Sequence, residues 1–437
     1  MALAALAVIP SAAWALEPAG PVPSNYTLAL RYEPRGGGTL AGTETIGFVN
    51  RGPGALGAVW LRLWANGPDR CRPRRIDVTV APPAAAGTRT CTALEVRLPA
   101  PVAPGGSARV PLRFRVAERD APDRFGRAGP AALFGNVVPV LAAQDALGLR
   151  LPPYVGDGES FYTLSAAWDA TIDVPRGMRA ATTGATVAER MVGGRRVLSV
   201  HTDHARDFGL AVGRLRVARR RAGNVLVRAF VPGRARDARL MLGTAAGALE
   251  AYSRRFGPYG SPELDVVRLP PAIRNPGMEY PELVFTASQP AVIAHEVAHQ
   301  WWYSIVGNDE YREPWLDESF ASWSERVLYG GFADCDPRRP FRYLSKRLRR
   351  LRLDDTMRVF GDRAAQYGEV VYYAGACALH TLQRDLGRAR MGRLLRLLVE
   401  RHRYGIETKA EVLQAISEVA PPGFDLDRFL ARAHLSP

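Results

Sequence analysis

The segment AVIAHEVAHQWW, residues 291–302, places two histidines and a glutamate in an otherwise apolar stretch. The chain contains only seven histidines, yet His295 and His299 lie four residues apart, and Glu296 directly follows the first of them. An ionisable side chain is costly to bury unless a partner satisfies it. The pattern therefore indicates a divalent metal ion as that partner.

The residues that flank this segment predict a single helix over 290–306. Pro290 suits the first turn of a helix, and Gly307 suits the position just beyond its end. In such a helix His295 and His299 lie on one face, one turn apart, so both imidazoles reach the same ion. Glu296 is rotated by about 100° around the axis and reaches a water on that ion instead.

A third ligand is expected after a spacer of eighteen residues, where the chain reads WLDES at 315–319. Pro314 opens another predicted helix there, and Glu318 lies in its first turns. Two neutral imidazoles and one carboxylate leave zinc an open position for water, which is typical of a catalytic site. Zinc lowers the pKa of such a water to about 7, and Glu296 is placed to take its proton. For HExxH alone, histidines satisfied by ordinary hydrogen bonds are the alternative.

The periodicity of the chain changes once and predicts a multidomain protein. From about Tyr26 to Val217, short β-type runs alternate with Gly, Pro and Asn turns, which indicates an N-terminal antiparallel all-β domain over 16–219. Beyond it, apolar residues recur at steps of three and four, which indicates a mainly helical α+β domain over 220–437. The arginine-rich residues 219–223 mark the predicted boundary.

The N-terminus resembles a secretory signal peptide over residues 1–15. An apolar stretch ends in the small-x-small pattern Ala13-Trp14-Ala15, although basic residues are missing before it. Pro10 and the short length argue against a membrane span. We therefore expect an exported protein, in the periplasm, the cell envelope or the medium, with an ordinary buried N-terminus as the alternative.

The four cysteines are Cys71, Cys91, Cys335 and Cys377, and none forms a C-x-x-C pair. A thiolate zinc site is therefore not expected. In an exported protein, Cys71 and Cys91 flank one predicted hairpin and could form a disulfide. Isolated buried thiols are the alternative.

The formal charge of +15 comes almost entirely from arginine, since Lys346 and Lys409 are the only lysines. The longest basic run, at 346–353, spreads its arginines around a predicted helix. No nucleic-acid-binding signature accompanies the charge. We therefore expect a solvated basic helix face and no nucleic-acid partner.

Four segments together resemble one known family. HEVAHQWW, the eighteen-residue spacer and WLDESFA resemble the gluzincin zinc metallopeptidases related to aminopeptidase N and leukotriene hydrolase. NPGMEYPELVF at 275–285 resembles the Gly-x-Met-Glu-Asn motif of that family, and VVYYAGACALHTL at 370–382 resembles its Tyr-x-x-Gly motif. The resemblance implies a thermolysin-like zinc catalytic domain with one zinc ion, held by His295, His299 and Glu318.

The resemblance also implies where the substrate binds. The motif glutamate, which holds the free α-amino group of the substrate, corresponds to Glu279, with Gly277 and Met278 as its neighbours in the substrate subsite. A carboxylate is a natural partner for an ammonium group. Tyr280 replaces the motif asparagine, which removes no charged group.

The resemblance further implies that Tyr372 donates a hydrogen bond to the oxyanion that develops in the transition state. Tyr373 takes this role if the register slips by one residue. Glu325 is expected to hydrogen-bond a ligand histidine, with a surface carboxylate as the alternative. Ala374 and Ser319 replace the usual lysine and glycine, which alters pocket walls without removing a catalytic group.

These observations predict a zinc metallopeptidase that releases the N-terminal residue from peptides with a free N-terminus. Only 65 residues follow Tyr372, so we expect a short form without the large C-terminal helical domain of many relatives, and a more open cleft. A zinc endopeptidase or oligopeptidase is the first alternative. A catalytically silent zinc-containing peptide-binding protein and a binder of nucleic acid or anionic surfaces are the others.

Overall fold

The structure is a computed structural model that describes most of the chain after the predicted signal peptide, which lies outside the described residues. The described residues are 18–437 without 69, 120–123, 157, 271–272, 274–275, 337, 339, 342–343, 345–347 and 362.

The first half of the described chain consists of strands, as predicted. The strands are β1 Pro21–Glu33, β2 Thr39–Asn50, β3 Leu56–Arg62, β4 Ile76–Val80, β5 Ala85–Arg89, β6 Ala93–Val102, β7 Ser107–Ala117, β8 Phe125–Ala128, β9 Ala131–Phe134, β10 Val140–Leu141, β11 Gln144–Asp145, β12 Gly148–Leu149, β13 Ala166–Pro175, β14 Arg179–Thr182, β15 Ala185–Val192, β16 Arg195–Ala205 and β17 Leu210–Gly213. Among the described residues, the largest sheet has seven strands in the order β15-β16-β13-β1-β2-β7-β4. Its pairing is antiparallel except between β1 and β13, which run parallel.

Alternation along β1 shows why this half folds as layered sheets. Tyr26, Leu28, Leu30 and Tyr32 occupy every second position and are all buried, so one face of the strand packs on the core. The ring of Tyr26 stacks on Trp168 of β13 with centroids 3.9 Å apart. The period of two therefore produces a sheet with one apolar face.

The second half is mainly helical and begins with a small sheet, which confirms the predicted fold class. Its strands are β18 Arg216–Ala222, β19 Val225–Val231, β20 Glu263–Arg268, β21 Gly277–Met278 and β22 Leu283–Thr286, in the order β18-β19-β20-β22-β21. Its helices are α1 Ala235–Phe256, α2 Pro290–Ala298, α3 Trp315–Glu325, α4 Met357–Phe360, α5 Ala364–Tyr367, α6 Gly375–Leu386, α7 Arg388–Arg401, α8 Lys409–Val419 and α9 Leu426–Ala433, with π-helical turns at Arg326–Gly330 and Gly368–Ala374 and a 3-10 turn at Leu348–Arg350. A further 3-10 turn, Trp64–Asn66, lies in the first half. Within the described chain, no helix is long and apolar enough to cross a membrane.

The predicted domain boundary between residues 219 and 220 falls inside β18. This strand pairs along its length with β19 and contacts α1, both of which belong to the second half. The change of sheet therefore lies between the end of β17 and the start of β18. The domain limits 16–219 and 220–437 stay a prediction.

The predicted helix over 290–306 was wrong beyond Ala298, where α2 ends. His299 is its C-cap residue, with φ −63° and ψ −12°. Tyr303 has φ 147°, a conformation that no α-helix contains. Beyond His299 the helical bonds are replaced: the N–H of Ser304 donates to His299 O, the N–H of Val306 donates to Trp301 O, and the carbonyl oxygen of Trp302 accepts from the His299 ring.

Two disulfides connect all four cysteines of the chain. Cys71 and Cys91 are bonded with Cα atoms 5.5 Å apart, which confirms the predicted pair. Cys335 and Cys377 are bonded with Cα atoms 5.4 Å apart, and this pair was not predicted. The second bond attaches the loop after α3 to α6, the helix that follows the Tyr-x-x-Gly segment.

Candidate metal centre and active site

The three predicted metal ligands converge on one point. The Nε2 atom of His295 lies 3.1 Å from Glu318 Oε2 and 3.1 Å from His299 Nε2. The Nε2 atom of His299 lies 3.4 Å from Glu318 Oε2. All three side chains are buried. They come from the end of α2 and the start of α3, two helices that pack together.

The hydrogen bonds on the far sides of the imidazoles indicate which nitrogens carry protons. His299 Nδ1 lies 2.9 Å from the carbonyl oxygen of Trp302, and His295 Nδ1 lies 3.3 Å from Glu325 Oε2. Both partners are acceptors, so each Nδ1 donates, and in a neutral imidazole each Nε2 would then present its lone pair to a metal ion. The two lone pairs and an oxygen of Glu318 would then face one another and repel. A cation bound between them removes that repulsion.

The donor set fits zinc. A tetrahedral ion with metal–ligand bonds of about 2.0–2.1 Å holds neighbouring donors roughly 3.4 Å apart, close to the separations seen here. Two imidazoles and one carboxylate are a donor set of catalytic zinc sites. Glu325 supplies the outer hydrogen bond predicted for it, which orients a ligand imidazole.

The electric field at this point also favours a cation. Burial alone would raise the pKa of Glu318, but His299 and His295 outweigh it and hold that pKa well below its usual range. Burial alone would lower the pKa of His299, but Glu318 and Glu279 raise it to about 10. The cluster thus attracts positive charge, and a divalent cation satisfies the same demand as the protons.

Glu296 lies beside the metal donors and is buried, with 4% of its surface exposed. Among the described residues, its Oε2 atom has no hydrogen-bond partner. A Cβ atom on Gly277 would overlap Glu296 Oε1, so the carboxylate rests where only glycine leaves room. Burial raises the pKa of Glu296 to about 8. The carboxyl group of Glu296 therefore lies beside the donor cluster with one oxygen that no described residue bonds.

His295 and Glu318 line a cavity of about 280 Å³ whose wall is rich in carboxylates. Glu279 lies there as predicted, and Glu159 from the first half lies there although the sequence analysis missed it. Carboxylate oxygens of Glu159, Glu279 and Glu318 lie within 4.8 Å of one another. Arg124 Nη2 donates to Glu159 Oε1 at 3.2 Å. Nothing in the local sequence GDGES singles out Glu159, because its partners are remote in the chain.

The residues next to Glu279 alternate in direction, as strand residues do. Gly277 and Glu279 line the cavity, whereas Met278 is buried in an apolar cluster with Leu283 and Phe285. The structure therefore places two of the three predicted substrate-subsite residues at the cavity and Met278 on the opposite side. The predicted substrate contact of Met278 does not agree with this position.

Tyr372 lies against the metal donors. Its hydroxyl donates to Glu318 Oε1 at 2.5 Å, and its ring stacks on His295 with centroids 5.6 Å apart. The hydroxyl of Tyr373 instead donates to the carbonyl oxygen of Asp334 at 3.1 Å. The structure thus places Tyr372 rather than Tyr373 at the cavity. Ser319 Oγ donates to Val371 O at 2.8 Å and joins α3 to the Tyr-x-x-Gly segment.

Two imidazoles and a carboxylate from adjacent helices, with a further glutamate beside the first imidazole, define the class of gluzincin metallohydrolases. Residues 286–432, about a third of the chain, match the family model described as Peptidase family M1 domain.

Curated relatives resemble only part of the chain. Aminopeptidase B of Mus musculus is 26% identical over 222 residues, which cover 42% of this chain and 34% of that protein. Aminopeptidase M1-B of Oryza sativa subsp. japonica is 29% identical over 213 residues, which cover 43% of this chain and 24% of that protein. The matched part thus spans about a third or less of these relatives.

Solved structures resemble the fold over nearly the whole chain. The M1 zinc metallopeptidase from Deinococcus radiodurans has a TM-score of 0.67 at 22% identity and covers 95% of this chain and 94% of its own. A mutant of it bound to a Tyr-Ser-Ala substrate has a TM-score of 0.69 at 20% identity, with coverage of 96% and 95%. A two-domain M1 zinc metallopeptidase mutant bound to L-arginine has a TM-score of 0.69 at 22% identity and covers 96% of both chains. The two-domain fold is therefore shared.

Proposed function

We propose that the protein is a zinc-dependent aminopeptidase that hydrolyses the N-terminal peptide bond of peptides. One observation carries the proposal: Glu159 and Glu279 lie at the same cavity as the metal donors, within reach of a single group. Relatives named aminopeptidases and a similar fold bound to a tripeptide support it.

The carboxylate pair has the chemistry of an ammonium site. A zinc site of this kind uses one carboxylate beside its imidazoles, and Glu318 already faces the two histidines. Glu159 and Glu279 are therefore available to a different cation. A primary ammonium group offers three donors to the remaining oxygens. Glu279 has a buried oxygen without a hydrogen-bond partner among the described residues. Glu159 and Glu279 would therefore fix the N-terminus of a peptide and set its first peptide bond beside the metal donors.

The remaining residues supply the proton transfers and the charge stabilisation. Bound zinc, held by His295, His299 and Glu318, supplies Lewis acidity and activates water. Glu296 accepts the proton of the attacking water and returns it to the leaving amine. The hydroxyl of Tyr372 donates to the oxyanion that develops at the scissile carbonyl. Glu296 and Tyr372 line the cavity together with His295 and Glu318.

The test compares a peptide that has a free α-amino group with its N-acetylated counterpart. Acetylation removes the charge that Glu159 and Glu279 would bind, so we expect kcat/KM to fall by about 30-fold or more. In Glu279→Gln the difference between the two substrates should shrink. Equal cleavage of both peptides by the wild-type protein would favour an endopeptidase or oligopeptidase instead.

We also propose that the protein is exported. Both disulfides are of a kind that persists in oxidising compartments, and they use every cysteine. Fractionation of cells that express the full chain, with sequencing of the mature N-terminus, tests this. Export with cleavage after Ala15 is expected, whereas retention of an uncleaved chain in the cytosol would contradict it.

A further inference from the structure

The carboxylate that would bind the substrate amine stands directly before a tight turn. The N–H of Leu283 donates to the carbonyl oxygen of Tyr280 at 3.1 Å and closes the turn. Glu282 within it has φ 63°, in the left-handed region that costs roughly 1–2 kcal/mol for a residue other than glycine. A strained turn keeps one conformation only if its surroundings hold it. The position of Glu279 thus depends on contacts made to the turn after it.

Gln300 makes those contacts from the other side. Its Nε2 donates to Tyr280 O at 3.0 Å, and its Oε1 accepts from the N–H of Glu282 at 2.8 Å. The hydroxyl of Tyr259 also donates to Gln300 Oε1, at 2.9 Å. The side chain of Gln300 is fully buried, so these bonds do not compete with bulk water. One amide therefore bonds to the first and third residues of the turn.

The place of Gln300 in the chain gives this contact a functional consequence. Gln300 follows His299 directly, so adjacent residues carry a metal donor and the clamp on the amine-binding segment. We propose that Gln300 is a positioning residue that fixes the separation between Glu279 and the metal donors. This inference rests on the proposed aminopeptidase function, since it assigns Glu279 the substrate amine.

An amide is the side chain that this position requires. It must donate to a carbonyl oxygen and accept from a backbone N–H at the same time, and a glutamine offers both groups on one planar unit. Methionine has nearly the same length but neither a strong hydrogen-bond donor nor a strong acceptor. In Gln300→Met the turn loses its clamp, and Glu279 is free to shift relative to the scissile bond.

The experiment compares Gln300→Met with Asn50→Leu. Asn50 is equally buried, donates to Gly54 O and Val102 O, and accepts from the N–H of Gly52, so its loss removes the same number of hydrogen bonds far from the site. In Gln300→Met we expect KM for a free-amine peptide to rise about 10- to 100-fold, the preference over the acetylated peptide to fall, and zinc content to stay unchanged. Asn50→Leu should lower the melting temperature without changing KM or the preference.

A milder variant keeps the inference testable if Gln300→Met does not fold. Tyr259→Phe removes only one hydrogen bond to Gln300, so KM should rise up to about fivefold in the same direction. Unchanged KM and unchanged preference in the Gln300 and Tyr259 variants would overturn the inference. If the wild-type protein itself cleaves both peptides equally, the proposed function fails instead.

Discussion

Both halves of the molecule bury carboxylates that lack a hydrogen-bond partner, but only some of these carboxylates lie beside the metal donors. Glu44 in β2 is 2% exposed, and among the described residues neither of its oxygens has a partner. Glu296 is 4% exposed and also has an oxygen without a partner. Glu296, however, lines a cavity with the imidazole of His295 and further carboxylates, whereas Glu44 is a buried residue of β2 outside that cavity.

The electrostatics of the two places differ accordingly. Burial raises the pKa of Glu44 well above its usual range, and no neighbouring charge is among the causes that shift it. At the metal centre the imidazoles of His299 and His295 overcome burial and keep Glu318 ionised. Burial alone therefore does not mark a functional carboxylate. Convergence with donors on an open cavity does.

The largest expected effect separates the two buried glutamates directly. Glu296→Gln removes the proton acceptor and should lower kcat by about 10²- to 10⁴-fold while zinc stays bound. Glu44→Gln should leave kcat unchanged, because Glu44 does not line the cavity. Steady-state kinetics with a free-amine peptide and metal analysis check both. A kcat loss in Glu44→Gln as large as in Glu296→Gln would contradict the functional difference between these two buried glutamates.

Gly277→Ala should give the second largest loss of kcat, because the new methyl group would overlap the carboxylate of Glu296 and displace it. A misplacement of about 1 Å at a reacting group costs roughly 100-fold in kcat. Gly243→Ala is the matched control, because its Cβ would meet nothing within 4 Å in α1. Kinetics on both variants check this. Equal activity of the two would show that Glu296 does not depend on the space above Gly277.

Glu325→Ala should weaken zinc binding by about 10- to 100-fold, because His295 loses the acceptor that orients its ring. Competition with a chelator measures the affinity. Glu369→Ala, at an exposed position outside the cavity wall, is the control. If Glu325 were an ordinary surface carboxylate, the two variants would bind zinc equally well.

The smallest expected effect concerns stability and pH. The pKa of Glu44 is raised in the folded protein, so above its ordinary value of 4.5 the unfolded chain loses this proton first. Rising pH therefore favours unfolding, and this site costs the wild type about 1.4 kcal/mol per pH unit between the two pKa values. Glu44→Met removes that loss. Urea unfolding at pH 5 and pH 6 should show the variant gaining relative to wild type; a constant difference would contradict the assignment.

The metal centre was predictable because its ligands lie close together in the sequence. The spacing of His295 and His299 in one helix, and of Glu318 in the next, already fixes the faces on which they lie. The wrong length of the first helix did not matter, since His299 retains near-helical torsion angles at the C-cap. Glu325 was placed correctly for the same reason, seven residues after Glu318 on α3.

The features that the sequence analysis missed depend on contacts between remote segments. Glu159 approaches Glu279 only because the first half packs against the second. The Cys335–Cys377 disulfide joins a loop to a helix across 42 residues without a hairpin to suggest it. Met278 was assigned to the substrate subsite from its motif, whereas strand alternation turns it away from the cavity. The spacing of residues in the sequence does not predict contacts between segments that are remote in the chain.

Zinc analysis of three purified proteins tests the central claim most directly. We expect one zinc per chain in the wild type, one in Glu296→Gln and little in Glu318→Ala, because Glu318, unlike Glu296, is one of the three converging donors. Full retention of zinc by Glu318→Ala, or its loss from Glu296→Gln, would contradict the assignment of the metal centre.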